Sequence, residues 1–272
     1  MKNNRLSRFA IPYVIWMALF VVAPIIMVVI YAFSASVGGF TLDNFAKMGT
    51  YTVVFTRSFK LALIATAICV LIGYPVSYKM SKEGPRFQRL AMVLIMLPMW
   101  MNFLLRTLAW QTLLEKNGVI NSILSFLHLP QQSIINTPAA IVLGMVYNFL
   151  PFMVLPIYNS LIKIPQDTFD AAKDLGANWI QTLWRITLPQ ILPGIVSGIT
   201  MVFVPAMTTF VISNLLGGAK INLIGNVIEQ EFTTANNWYG GAGLSIVLMI
   251  LILGSMAVMS HFDKEGEGAA IW

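Results

Sequence analysis

The feature of this sequence that most limits its fold is a set of long apolar runs that carry almost no charge. The first run, from Ala10 to Phe33, contains no Asp, Glu, Lys or Arg. Hydrocarbon offers backbone N–H and C=O groups no hydrogen-bond partner, so a membrane-spanning segment must be a helix or part of a closed barrel. Continuous runs of about 20 apolar residues are typical of helices, whereas barrel strands are shorter and alternate. With a mean hydropathy of +0.76, the chain is expected to be an all-α integral membrane protein.

Six apolar runs predict six transmembrane helices within a single domain of residues 1–272. The spans are expected at about 10–33, 58–78, 90–113, 138–161, 191–214 and 242–260. The first run is longer than the apolar region of about 7–15 residues in a cleavable signal peptide. It is therefore expected to be retained as a transmembrane helix.

The distribution of Lys and Arg predicts which ends of the spans face the cytoplasm, because cytoplasmic loops are enriched in these residues. With the N-terminus inside, eleven of the 17 fall on the cytoplasmic side, namely Lys2, Arg5, Arg8, Lys79, Lys82, Arg86, Arg89, Lys163, Lys173, Arg185 and Lys264. The other six, Lys47, Arg57, Lys60, Arg106, Lys116 and Lys220, fall outside or in the outer leaflet. Both termini are therefore predicted to be cytoplasmic (N-in/C-in), as is the segment 163–190.

Motifs for nucleotide binding, hydrolysis and metal binding are missing from the sequence. It has no G-x-x-x-x-G-K-[ST] phosphate loop, no H-E-x-x-H and no G-x-S-x-G. His128 and His261 have no metal-ligand partner at helical spacing, and the net charge of +6 is not concentrated in a block that could grip nucleic acid. The single Cys69 excludes an intramolecular disulfide. No catalytic residue, metal site or bound cofactor is expected in this chain.

The cytoplasmic segment is predicted to fold as a helix, a glycine corner and a second helix. Pro165 suits the first turn of a helix, where its missing N–H is no loss. Gly176 suits the residue after a helix, where a left-handed backbone costs glycine little. Asn178 is suited to cap the second helix. A short rigid helix at the membrane surface either shields the bundle or serves as an element that a moving partner pushes.

The same segment carries a family pattern. Asp170-Ala171-Ala172, then Gly176, then Ile186-x-Leu188-Pro189 resembles the EAA loop of bacterial ABC importer permeases. That pattern is Glu-Ala-Ala, three residues, Gly, nine residues and Ile-x-Leu-Pro, and every spacing matches. Asp170 stands where Glu is usual, which keeps the charge but shortens the side chain. Over more of the chain, residues 97–110, 147–161 and 205–232 resemble the first of the two permeases in spermidine/putrescine ABC importers.

The resemblance implies a type I ABC importer permease in a bacterial cytoplasmic membrane, forming half of a translocation pathway. The implied partners are a second permease in a heterodimer, two cytoplasmic ATPase subunits and an extracytoplasmic polyamine-binding protein, with no nucleic acid. ATP and magnesium would bind the ATPase subunits rather than this chain. The residues implied to couple to an ATPase are Asp170, Ala171, Ala172, Gly176, Ile186, Leu188 and Pro189.

A polyamine pathway calls for carboxylates or aromatic faces, because the substrate is a flexible polycation. None of the six predicted spans contains Asp or Glu, so aromatic and neutral polar side chains are the candidates within the membrane. They are Trp100, Asn102, Trp110, Tyr147, Asn148, Thr208, Thr209 and Phe210, with packing or an interfacial belt as the alternative for the aromatic residues. Arg106 is expected near the outer boundary, as an interface anchor, an outer gate or an ion-pair partner for the second permease.

Two outer segments, 117–129 and 221–232, have apolar residues at helical spacing. They are expected either to cap the bundle or to dock an outside partner. Lys220, Glu229 and Glu231 are the candidate contacts with a binding protein, and the two glutamates could also attract cations. In the fifth span, Gly194 and Gly198 form a small-xxx-small pair that allows close helix approach.

Three alternatives stay open on the sequence. The chain could serve an importer of another small solute, an ATP-independent secondary transporter, or an intramembrane enzyme. The enzyme reading lacks catalytic motifs, and the EAA-like loop favours an ATP-driven importer over a secondary transporter. Whether an ATPase purifies with the chain discriminates between an ATP-driven importer and a secondary transporter.

Overall fold

The computed structural model describes residues 4–35, 38–46, 48–218 and 220–269, with side chains from residue 11 to residue 259 within those ranges. Lys2 and Lys47, and the side chains of Arg5, Arg8, His261 and Lys264, therefore lie outside the described part. The described chain is helical apart from turns, loops and one isolated antiparallel bridge between Ser34 and Phe40.

The α-helices follow one another with short connections. In chain order they are α1 Asn4–Met17, α2 Ala23–Ala32, α3 Asp43–Ala46, α4 Met48–Lys82, α5 Pro85–Met96, α6 Phe103–Leu114, α7 Val119–Phe126, α8 Pro138–Leu161, α9 Gln166–Asp174, α10 Trp179–Thr182, α11 Leu188–Thr208, α12 Val211–Leu216, α13 Ile224–Thr233 and α14 Trp238–Ala269. A π-helical turn joins α1 to α2, and another joins α10 to α11. A 3₁₀ turn, Leu97–Trp100, follows α5.

Among the described residues, five helical segments are long and apolar enough to cross a membrane, and a bent pair of helices supplies a sixth if it counts as one span. The five are Ile11–Ala32, Met48–Lys82, Pro138–Leu161, Trp179–Thr208 and Trp238–Met259. They coincide with predicted spans one, two, four, five and six. The fifth span begins earlier than predicted, because the helix runs unbroken through Pro189 from the cytoplasmic segment.

The predicted third span, 90–113, is not one continuous helix. Its two parts, Pro85–Trp100 and Phe103–Phe126, are bent by 93° at the intervening residues. Met101 has an extended backbone, and the side chain of Asn102 accepts hydrogen bonds from the backbone N–H groups of Leu104 and Leu105. Pro98 and the Asn102 cap give the chain a local alternative to helical hydrogen bonding, so α6 starts afresh.

The predicted fifth span, 191–214, is also interrupted. Helix α11 ends at Thr208, Thr209 has an extended backbone, and α12 begins at Val211. The predicted outer helices are present in shortened form: α7 lies within 117–129, and α13 covers most of 221–232.

The described chain forms two compact units. One comprises Met1–Val53 with Val227–Leu251, and the other Val54–Asn226 with Ile252–Trp272. The single domain expected from the sequence stays a prediction. In the first unit, Ala32, Ala242 and Ile246 form a buried cluster against which five partly buried apolar side chains pack, namely Val28, Tyr31, Phe33, Phe45 and Phe232.

The second unit is organised around α8, the most buried of the candidate spans, and α11 packs extensively against it. Close approach depends on glycine. A Cβ on Gly198 would lie 2.7 Å from the Met153 sulfur, and one on Gly194 would lie 2.7 Å from the Pro156 carbonyl oxygen. The small-xxx-small pair therefore faces α8 and allows the close helix approach that its spacing predicted.

Candidate functional site

Helix α9 places the EAA-like residues at the predicted cytoplasmic end of the second unit. Phe169 and Ala172 are buried, whereas Asp170 and Ala171 are exposed. The Ala-Ala pair therefore has two roles: one alanine lies against the protein and the other leaves the outer face shallow. Asp170 pairs with Lys173 one turn later at 3.5 Å, an exposed contact.

Gly176 ends α9 with a left-handed backbone. Its φ is +73°, its N–H donates to the Lys173 carbonyl at 2.8 Å, and the Ala177 N–H donates to the Ala172 carbonyl at 2.9 Å. These bonds satisfy carbonyls that the end of a helix leaves without partners. The space around a Cβ at Gly176 is open, so the backbone conformation rather than crowding favours glycine.

The second cytoplasmic helix starts with a capping box. The Asn178 side chain accepts from the Gln181 N–H, and the Gln181 side chain accepts from the Asn178 N–H, both at 2.9 Å. Ile186 lies in the π-helical turn Leu183–Thr187, and Leu188 and Pro189 open α11. The predicted glycine corner at Gly176 and the Asn178 cap are confirmed, whereas Pro165 precedes α9 as its extended N-cap residue rather than lying in its first turn.

The segment presents large apolar side chains to its surroundings. Leu175 is 88% exposed, and Trp179, Ile180 and Trp184 are all more than half exposed. Four large exposed apolar side chains beside charged residues are typical of a protein interaction surface. The two helices could be predicted from the sequence, but an interface role for Leu175 and the two tryptophans was missed.

The first group of pathway candidates lies at the break in the third span. Trp100 is exposed, Asn102 caps α6, and Arg106 is only 7% exposed. The Arg106 guanidinium donates from Nη1 to the Pro98 carbonyl, and its centre lies 5.8 Å from the Tyr147 ring. Trp110 packs edge-on against the same tyrosine at 5.1 Å between ring centroids.

The second group lies at the break in the fifth span. Thr209 is buried, Phe210 is 40% exposed, and Thr208 donates its hydroxyl to the Val204 carbonyl of its own helix. Asn148, on α8, is buried and likewise donates to its own helix, at the Gly144 carbonyl. The Thr208 hydroxyl and the Asn148 amide nitrogen are therefore engaged with backbone, whereas the buried Asn148 Oδ1 accepts no hydrogen bond from the described residues.

Asn226 organises the second break and was missed in the sequence. It is fully buried and donates to the Phe210 carbonyl at 3.0 Å and to the Asn214 side chain at 2.6 Å. Its side-chain oxygen accepts from the Leu223 N–H at 2.9 Å. An asparagine in a predicted outer helix gives no sequence signal for such a role, because its partners come from elements that only folding brings together.

A polar pocket lies in the first unit, beside α13. Its lining includes Glu231, Tyr51, Asn237 and Asp43. The Tyr51 hydroxyl donates to one Glu231 carboxylate oxygen at 3.0 Å, and the Asn237 amide donates to the other at 2.7 Å. Of the predicted docking residues, only Glu231 lines this pocket. Glu229 accepts from Thr233, and the Lys220 N–H closes a turn on Gly217.

Comparison with solved structures identifies the fold. A crystal structure of a bacterial ABC transporter involved in the import of the acidic polysaccharide alginate contains a chain that superposes with a TM-score of 0.78. The match covers 97% of this chain and 96% of that chain at 18% sequence identity. Together with the apolar spans, this likeness defines the class: the chain has the fold of an ABC importer permease.

The family follows from sequence similarity. Residues 70–265 match the binding-protein-dependent transport system inner membrane component family, and the chain belongs to it. The spermidine/putrescine transport system permease protein PotB of Haemophilus influenzae is 37% identical over 262 residues, covering 92% of this chain and 91% of PotB. PotB of Escherichia coli (strain K12) is 38% identical over 247 residues, covering 87% and 90%. The chain is thus a homologue of PotB and an inner-membrane protein of the bacterial cell.

Proposed function

We propose that this chain is a permease subunit of an ATP-driven importer for polyamines such as spermidine and putrescine. It forms half of the translocation pathway together with a second permease. The observation that carries the proposal is similarity to PotB of 37–38% over about nine tenths of both chains. The fold alone does not choose the substrate, because a chain of the same fold belongs to a transporter for an acidic polysaccharide.

The cytoplasmic surface formed by α9 and the helix after it is proposed to contact the ATPase subunits. Asp170, Ala171 and Gly176 give it a shallow polar face, and Leu175 and Trp179 supply exposed apolar area. Ile186, Leu188 and Pro189 join this surface to α11 without a break in the helix, so a push on the segment acts directly on the fifth span.

ATP and magnesium are proposed to bind the ATPase subunits, and this chain itself to be non-catalytic. Its sequence has no phosphate-binding loop. In the part of the chain that the structure describes, no group of three or more His, Cys, Asp or Glu side chains could hold a metal ion.

Two places in the chain are proposed to contact the positively charged polyamine. The pocket beside α13 offers the Glu231 and Asp43 carboxylates with the Tyr51 hydroxyl. The Glu231 carboxylate accepts hydrogen bonds from Tyr51 and Asn237, which hold it in one orientation. Within the second unit, Trp110 and Tyr147 offer aromatic faces. Lys220 and Glu229 remain proposed contacts with an extracytoplasmic polyamine-binding protein.

Reconstitution tests the proposal. The chain, its second permease, two ATPase subunits and the binding protein are placed in proteoliposomes, and uptake of labelled spermidine is measured with ATP, without ATP, and with competing putrescine. We expect ATP-dependent uptake that putrescine competes. Uptake of equal rate without ATP would favour a secondary transporter, and ATP-dependent uptake of another solute alone would overturn the polyamine assignment.

A further inference from the structure

The inner end of the second span contacts the cytoplasmic helix α9 through Lys82 and Phe169. The ammonium of Lys82, the last residue of α4, lies 3.7 Å from the centroid of the Phe169 ring. Phe169 is only 7% exposed and is the single aromatic residue of α9. A cation this close to an aromatic face is attracted by the negative potential of the ring.

Charges on the exposed side of α9 also act on Lys82. The Asp170 carboxylate attracts it and the Lys173 ammonium repels it, and these two groups pair with each other. Lys82 therefore lies within the electrostatic influence of two residues of the EAA-like helix as well as against the Phe169 ring.

The α4 end itself is anchored to two further spans. The Gln88 side chain, on α5, donates to the Glu83 carbonyl at 2.9 Å and accepts from the Tyr158 hydroxyl, on α8, at 3.0 Å. Met80, two residues before the end of α4, is buried in a cluster with Val154 and Tyr158. A displacement of the α4 end is thus passed to α5 and α8 rather than absorbed by a loose loop.

We propose that Lys82 and Phe169 form the contact through which movement of α9 displaces the inner end of α4. Both are positioning residues: they touch neither substrate nor nucleotide. This inference rests on the proposed function, and it adds a second route to the continuous helix that joins the segment to α11. The pair clamps α9 from the side of the bundle, while the outer face of α9 stays free for the ATPase.

The reconstituted complex tests this with uptake and ATP hydrolysis measured in the same vesicles. Lys82→Met keeps the length of the side chain but removes the charge, and Phe169→Leu keeps an apolar side chain but removes the ring. We expect either change to lower the amount of spermidine moved per ATP hydrolysed about two- to fivefold while hydrolysis continues. Lys82→Arg and Phe169→Tyr preserve a cation over an aromatic face and are expected to retain a ratio close to that of the unmodified complex.

Two comparisons separate transmission from stability. Lys79→Met is the matched control, because Lys79 is an exposed cation one turn earlier on α4 that pairs with Glu83. The double variant Lys82→Met with Phe169→Leu is expected to transport no less spermidine per ATP than the worse single variant, since both substitutions remove the same contact.

An unchanged ratio of spermidine moved to ATP hydrolysed in Lys82→Met, or additive losses in the double variant, would overturn the inference. Failure of Lys82→Met to assemble, with Lys79→Met normal, would make the pair structural and also count against it. Absence of ATP-driven uptake in the unmodified complex would instead refute the proposed function.

Discussion

The guanidinium of Arg106 donates a hydrogen bond to the Pro98 carbonyl across the break in the third span. That carbonyl lies within the 3₁₀ turn after α5, and the N–H of Met101, which follows the turn, also donates to it at 3.3 Å. Broken helices are tolerated at membrane depth where other groups satisfy the freed backbone. A cation at the C-terminal end of a helix also interacts favourably with its dipole. Arg106 therefore stabilises the bend, which gives an intramembrane charge a role within this chain.

Replacing Arg106 is expected to loosen this bend. Arg106→Met removes a charge-assisted hydrogen bond to a backbone carbonyl, and we expect the free energy of unfolding to fall by about 1.5–3 kcal/mol. Arg106→Lys retains one donor and is expected to lose less. Thermal unfolding in detergent compares the stability of the unmodified chain, Arg106→Lys and Arg106→Met. Equal stability of Arg106→Met and the unmodified chain would show that the bend does not depend on this contact.

Gly176 is expected to tolerate substitution according to backbone preference rather than size. Its φ of +73° suits Asn better than a β-branched residue, and the space around it is open. Gly176→Val should lower ATP-driven uptake severely, with a conformational cost of about 1–3 kcal/mol in the segment, whereas Gly176→Asn should keep most of it. Membrane insertion should be normal for both. Equal uptake by Gly176→Val and Gly176→Asn would contradict a requirement for the left-handed corner.

The two glycines of α11 are expected to differ in their tolerance of alanine. At Gly194 an added Cβ meets the Ser160 hydroxyl and the Pro156 carbonyl oxygen, which is backbone, whereas at Gly198 its nearest neighbour is the flexible Met153 sulfur. Gly194→Ala should therefore destabilise the chain by about 1–3 kcal/mol, and Gly198→Ala should cost less. Unfolding temperatures in detergent give the comparison. The reverse order would mean that α8 and α11 are not packed as described.

Glu231→Gln is expected to weaken uptake at low polyamine concentration. The substitution keeps the shape of the side chain but removes the negative charge, so the spermidine concentration for half-maximal uptake should rise about two- to fivefold, as for a partly exposed ion pair. Glu115→Gln makes the same charge change at an exposed residue outside the pocket and serves as the control. The difference between the two should shrink at high salt because salt screens such pairs. An equal effect of both substitutions would argue for general surface charge rather than this pocket.

The cytoplasmic corner could be predicted because its determinants are local. Pro165, Gly176 and Asn178 each act on the backbone within about one turn of their own position. The break in the third span also had local signals, Pro98 followed by Asn102. The apolar composition on both sides concealed it, because hydropathy reports whether a segment tolerates lipid and does not report whether its helix is continuous.

Local patterns could not predict the pocket beside α13, the Lys82–Phe169 contact or the role of Asn226. Glu231 was selected for its charge, but Tyr51 lies 180 residues away in the chain, and only folding brings the two within hydrogen-bond distance. Asn226 likewise acts on Phe210 and Asn214, groups on a separate helix and its cap. No periodicity encodes such pairs.

The sequence by itself determined that this chain crosses a membrane as helices, where its cytoplasmic segment turns, and which family it resembles. Burial of apolar residues in lipid and the backbone preferences of Pro, Gly and Asn act on contiguous residues, so both can be recognised in the amino-acid sequence. Only the tertiary structure decided which side chains meet at the breaks in the third and fifth spans. Arg106 lies near the Tyr147 ring, and Asn226 bonds Phe210 and Asn214, because packing has brought separate helices together.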